Sequence, residues 1–375
     1  MKKNVAALAV PLLFSLGIAT GPVLADDHGP FRLFIDRDVD TFAVLPDGVR
    51  FPEGITANPA NGDIYTATFD APGPGNPTPK NKLLRFDRQG RLVATRDFGT
   101  TPLLGLEFDR TNKKVYVLAV GDFDGSGSRI QRVAADLSNL ENVAAIPGIG
   151  APTPRTVGNP DGSSDTITFG SGARVPNAMV FDSKGNLYVS DSFQGAVFKI
   201  TNPIACAPNC NVETFSHDPL LATAGFPPFG ANGLAFNKDE SVLFIANTGD
   251  DTVLALNMIS GLRTVTVFAQ SLNGADGLVF DKSSGLLWVC TNQNDEVVAL
   301  NASGKIVAKL GEFRGINGNG TPDGLLFPAS PVIVGDEIFV TNLAIALTPT
   351  AGDEPEEDVK RWTLSRMRLP GRDQD

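Results

Sequence analysis

Histidine is almost missing from this chain. Two stand in 375 residues, His28 and His217, so a catalytic pair of imidazoles inside the fold cannot be built, and a zinc or copper centre made of them is disfavoured. Cysteine is nearly as scarce, at three. Cys206 and Cys210 flank a Pro-containing turn, CAPNC, and read as a structural disulfide formed in an oxidising compartment. Cys290 lies inside the run LWVCT and reads as a buried thiol. There is no haem Cys pair, no Gly-x-Ser-x-Gly nucleophile elbow and no phosphate loop.

Positive charge is also short. Lys and Arg number 31 against 42 Asp and Glu, for a net charge of −11. An acidic surface argues against nucleic acid and anionic membrane as partners, and it suits cations. Beyond the first 25 residues no stretch is long and apolar enough to span a bilayer, so membrane insertion is not expected. Those first residues are different. Lys2 and Lys3 precede an apolar stretch from Val5 to Ala19, and Val23-Leu24-Ala25 offers small residues for cleavage. This is the pattern of a secretory signal peptide over 1–25, without a Cys for a lipid anchor. It predicts an exported chain, periplasmic or secreted, starting at Asp26. No linker or composition break follows, so residues 26–375 are expected to form a single domain.

What the chain has in abundance is a repeat. Pro52-Glu53-Gly54, Leu103-Leu104-Gly105, Pro176-Asn177-Ala178, Ala231-Asn232-Gly233, Ala275-Asp276-Gly277 and Pro322-Asp323-Gly324 each open an apolar run. Phe108, Phe181, Phe236 and Phe280 follow four residues after the middle position, with Phe327 in the same phase. A second run then carries Tyr65, Tyr116, Tyr188, Phe244, Trp288 or Phe339. Self-similarity at roughly 40–50 residues marks a propeller or another repeat array. Within the fourth repeat, four short β-branched and aromatic runs are punctuated by Asn, Asp and Gly, as in antiparallel hairpins. The pattern therefore predicts an all-β, six-bladed β-propeller with four antiparallel strands per blade. The last repeat ends near Trp362–Leu369 and lacks a fourth strand, so Arg32–Val44 is predicted to supply it and close the ring. Three long segments, 147–174, 70–81 and 347–357, are expected on the rim where the six tripeptides lie.

A propeller brings equivalent positions together around one axis. The middle residues of the tripeptides are Glu53, Leu104, Asn177, Asn232, Asp276 and Asp323. Five of the six offer side-chain oxygens in a narrow channel. Carboxylates packed together resist ionisation unless a cation joins them. Ca²⁺ takes six to eight such oxygens, about as many as carboxylates, amides and water provide here. Asn-Gly and Asp-Gly are also ordinary turn residues, so composition alone leaves a metal site and plain turns both open.

The order Glu, Asn, Asn, Asp over the first, third, fourth and fifth repeats resembles the calcium-dependent six-bladed hydrolases of the senescence-marker-protein/gluconolactonase family, with diisopropylfluorophosphatase and the paraoxonases as distant relatives. The resemblance extends over nearly the whole chain after the leader. It implies that Glu53, Asn177, Asn232 and Asp276 hold a catalytic Ca²⁺, and that Asp276 activates water or attacks directly. It places Arg174 and Asn177 near a small ester-like substrate, although Arg174 is out of the family's register. His217 is a candidate for the same face, and Asp323 has no counterpart in the family's ligand set. The function implied is an exported calcium-dependent hydrolase, a lactonase or esterase. The alternative is a non-catalytic propeller of the NHL type that binds a protein or glycan on its loop face. Asp122-Phe-Asp124-Gly125 resembles the start of a calcium-binding EF-hand loop, but position twelve would be Val133 rather than Glu.

Overall fold

Aromatic side chains set the blade spacing. In the computed structural model, which describes residues 33–73, 76–170, 172–259 and 261–371, the aromatic of each second strand packs on the next blade's first strand. Tyr116 meets Phe181 edge-on with ring centroids 5.2 Å apart and Tyr188 meets Phe236 edge-on at 5.3 Å, while Tyr65 is tilted against Phe108 at 6.0 Å and Phe244 stacks on Phe280 at 6.3 Å. Edge-to-face pairs of this kind are worth about 0.5–1.5 kcal/mol beyond the area they bury. The six blades make a β-propeller, each built on four antiparallel strands. Their first strands are Pro52–Ala57, Leu103–Asp109, Pro176–Phe181, Ala231–Phe236, Ala275–Asp281 and Pro328–Val334. The leader and His28 lie outside the described residues.

Two expectations change at the chain's ends. The described part of the segment predicted as one strand, 33–44, holds two. Asp40–Val44 pairs with Thr363–Arg368 and completes blade six as expected. Phe34–Asp36 instead runs parallel to the outer strand of blade five, Ile306–Leu310. The break falls where the Asp36 side chain accepts a hydrogen bond from the Asp38 N–H, a local turn that competes with the extended ladder.

Blade six also starts later than its repeat suggested. Pro322–Gly324 belongs to a separate two-stranded hairpin with Phe313–Ile316. The inner strand is Pro328–Val334, so Ala329, not Asp323, occupies the sixth central position. Asp323 is ion-paired to Arg314 on that hairpin, 2.8 Å away. Phe327 is correspondingly out of phase. The residue four beyond Ala329 is Ile333, which packs in the cluster that contains Trp288.

Candidate functional site

Every inner strand is irregular at the same place. Register shifts fall between Pro52 and Ile55, Leu103 and Leu106, Pro176 and Met179, Ala231 and Leu234, Ala275 and Leu278, and Pro328 and Pro331. A bulge leaves extra residues outside the ladder and re-aims their side chains. Here it turns the middle residue of each opening toward the axis. Hydroxyls of the second strands hold the bulged carbonyls: Thr66 donates to Gly54 O, Ser190 to Asn232 O and Thr341 to Glu53 O, all at 2.7–2.9 Å. The third residue is Gly in four blades because the next blade's backbone is so close. A Cβ on Gly54, Gly105, Gly233 or Gly277 would overlap a carbonyl oxygen of the adjacent inner strand.

The central ring therefore reads Glu53, Leu104, Asn177, Asn232, Asp276 and Ala329. Four of its six members carry oxygens, and those four are only 2–5 % exposed. A hydrogen-bond network fixes their orientation. Ser192 donates its one hydroxyl hydrogen to Ala231 O at 2.8 Å, so toward Asn177 it can only accept. It takes Asn177 Nδ2 at 3.0 Å, which leaves Asn177 Oδ1 facing inward. Asn232 Nδ2 donates to Thr248 Oγ1 at 2.9 Å, and Asn292 Nδ2 donates to Asp276 Oδ2 at 3.0 Å.

Three oxygens of this ring are buried without a partner: Glu53 Oε2, Asn177 Oδ1 and Asp276 Oδ1. Buried polar atoms are normally satisfied, and a cluster of exceptions calls for a ligand. Burial pushes the Asp276 carboxyl up to about 7, against the hydrogen bond from Asn292 that pulls it down. Burial, and then the charge of Asp276, raise Glu53 well above the usual carboxylate range. Burial raises the Cys290 thiol, with smaller contributions from Asp276 and Glu53, and this free cysteine packs in the apolar cluster that contains Trp288. The donor set fits a hard cation. It is all oxygen, with two carboxylates whose joint charge matches a divalent ion. No group of three or more His, Cys, Asp or Glu among the described residues could hold a metal, so this set depends on its two amides.

The remaining candidates stand apart from the ring. The Arg174 guanidinium is clamped by Asp122, with Nη2 to Oδ1 at 2.7 Å and Nε to Oδ2 at 2.9 Å. That pair ties the lead-in loop of blade three to the loop 122–128, which explains the acidic start of that segment as a turn. His217 ends the outer strand Glu213–His217, exposed and three strands out from the axis. The disulfide Cys206–Cys210 is present, in the connection between the third and fourth strands of blade three.

Ser192, Thr248 and Asn292 are contributors not anticipated from the sequence. A signal was there. Each directly follows its blade's second strand, LYVSD, LFIAN or LWVCT, so aligning the repeats one residue further gives the column Phe69, Val120, Ser192, Thr248, Asn292 and Leu343. Its polar half lies in blades three to five, beside the two amides and Asp276.

Residues 172–311 match the SMP-30/Gluconolactonase/LRE-like region. The resemblance to that family holds. Its members among solved structures share the architecture at low identity, and no curated protein matches the chain in sequence. A luciferin-regenerating enzyme is 14% identical with a TM-score of 0.56, covering 90% of this chain and 96% of its own. Regucalcin from Agrobacterium tumefaciens, described as a calcium-binding protein, is 14% identical with a TM-score of 0.53, covering 88% and 94%. A putative gluconolactonase is 14% identical at 0.50, covering 90% and 95%. These likenesses establish the six-bladed fold.

Proposed function

We propose that this chain is an exported, calcium-dependent hydrolase of small ester-like substrates, a lactonase in its leading form, with residues 26–375 as its working domain. One observation carries the reading: Glu53 Oε2, Asn177 Oδ1 and Asp276 Oδ1 are three buried, unpartnered oxygens converging on the axis. Glu53, Asn177, Asn232 and Asp276 would hold the cation. When bound, Ca²⁺ supplies a Lewis acid that polarises a substrate carbonyl oxygen.

The rest of the chemistry belongs to side chains. Ser192 and Thr248 keep the two amides from rotating. Asn292 pins Asp276 through Oδ2 and leaves Oδ1 free. Asp276 takes a proton from the attacking water on the carboxylate oxygen that does not hold the cation, the hydroxide oxygen bonds to the carbonyl carbon, and the ring C–O bond breaks. The alkoxide recovers the proton, and the product is the hydroxy acid. The acidic surface and the regucalcin-like fold support the choice of cation.

A thermal melt in EDTA and then in calcium tests the reading. Saturation at 100 times the dissociation constant stabilises the fold by about 2.7 kcal/mol. A calcium-dependent rise is expected, with none in Glu53→Gln. Asp276→Asn is expected to keep part of the rise and to lose turnover of lactones. No shift at millimolar calcium would remove the mechanism. Edman sequencing of the exported protein, expected to start at Asp26, tests the leader.

A further inference from the structure

The layer just outside the ring is divided. Ser192, Thr248 and Asn292 hold Asn177, Asn232 and Asp276, with Asn292 Oδ1 left over as an acceptor. The equivalent residues of the other three blades, Phe69, Val120 and Leu343, are apolar and buried. Phe69 belongs to a set of four phenylalanines. Its ring lies 6.0 Å from Phe123 and 6.4 Å from Phe229, while Phe193 lies 6.4 Å from Phe123 and 5.3 Å from Phe229. Phe69 comes from blade one and Phe229 from the lead-in to blade four. Those blades are opposite one another, so the rings meet across the axis on the site face. Phe193 directly follows Ser192, and Phe229 stands three residues before Asn232, so both rings grow out of the segments that hold the ring amides.

A cavity of about 120 Å³ adjoins them, lined by Phe169, Gly170, Ser192, Phe193, Thr223 and Pro228. For scale, an apolar cavity of ~150 Å³ accepts benzene. Four of the cations on this face that could grip a sugar acid or a phosphate are committed elsewhere. In the loops of this face Arg50, Arg155, Arg174 and Arg314 are each ion-paired, to Asp70, Asp250, Asp122 and Asp323.

Resting on the hydrolase reading, we infer that the substrate is an uncharged lactone or ester carrying a short alkyl or aryl group, held against Phe193 and its neighbours, and not a polyhydroxylated sugar lactone. A sugar ring would bring hydroxyls to a wall with few partners for them, and unpaired hydroxyls are costly to bury. An alkyl or phenyl group there gains from burial instead.

The test compares an alkyl-substituted γ-lactone, phenyl acetate and glucono-δ-lactone on the full exported chain in calcium. In parallel, calorimetry follows binding of an alkyl lactam that cannot be hydrolysed. The expected result is a kcat/KM at least about tenfold higher for the alkyl lactone than for the sugar lactone, the scale on which an apolar pocket discriminates. Phe193→Ser is expected to raise KM for the alkyl lactone and weaken the lactam, and Phe193→Leu to restore both. Equal or better turnover of the sugar lactone overturns the inference and leaves the hydrolase standing. If no ester is turned over, the hydrolase reading fails, and the lactam decides the pocket: binding lost in Phe193→Ser supports it, and no binding overturns it.

Discussion

Glu107 stands three residues beyond Leu104 on the same inner strand, in the part of the central channel that runs from the ring to the opposite face. That channel encloses about 740 Å³. The equivalent residues of the other blades are Thr56, Val180, Ala235, Val279 and Val332, so this carboxyl faces a mostly apolar layer. The side chain is half-buried by surface, and the blades packed around it push its carboxyl up to about 8, opposed by Arg110 and reinforced by Asp109. The neutral acid is therefore what the folded state prefers. Its stabilising contribution is complete below the unfolded pKa of about 4.3 and is lost as pH rises through about 8. The melting temperature should fall between about pH 5 and pH 9, and Glu107→Gln should flatten that fall and exceed wild type at the alkaline end. An unchanged slope in circular-dichroism melts would refute this role. Glu53, Asn177, Asn232 and Asp276 were legible because each sits inside a local tripeptide. Asp323 shares the Asp-Gly mark but takes it from a turn, and Ala329 carries no polar sign at all. The Arg174 clamp was hidden because its partner, Asp122, lies 52 positions away.

At the level of the strand, the bulge and its glycine act as one device. Gly233 has no room for a methyl group beside Asp276 O, Leu278 N and Gly277 Cα. Gly233→Ala should push blade four from blade five at a cost of about 1–3 kcal/mol. Because Asn232 and Asp276 sit on those two strands, the calcium-dependent rise in melting temperature should shrink as well. Removing a ring from the aromatic ladder should cost more: Phe236→Ala, at a buried position, should lose about 3–5 kcal/mol in urea denaturation. Five of the six inner strands were readable from tripeptide and phase together. The sixth was not, because Pro328-Ala329-Ser330 lacks both the glycine and the oxygen, while a hairpin just upstream imitates them. The phenylalanine cluster left no periodic trace, since its members come from loops of four blades with different lengths.

For the whole molecule the decisive fact is closure. Asp40–Val44 brings Phe42 and Ala43 into the core shared by blades six and one, whereas Phe34–Asp36 only extends blade five with exposed residues. A chain shortened to start after Asp36 should fold with a modest loss. One that also lacks Asp40–Val44 should expose the edge of Thr363–Arg368 and aggregate, which size-exclusion chromatography would show. The lead-in loop 147–174 adds a tie across the rim, as Arg155 of its hairpin Arg155–Gly158/Ser164–Ile167 reaches Asp250 of blade four at 3.1 Å. The pairing of Asp40 with Arg366 has a wider meaning. It puts the two extremities of the described fold side by side, so the circle has no privileged starting point. A short peptide could weld those extremities, and a fresh opening could be cut in the turn between Asn257 and Val265, where Ile259 and Leu262 project into solvent. Such a permuted chain would be translated in a different order of blades and should still assemble the same oxygens around the same axis.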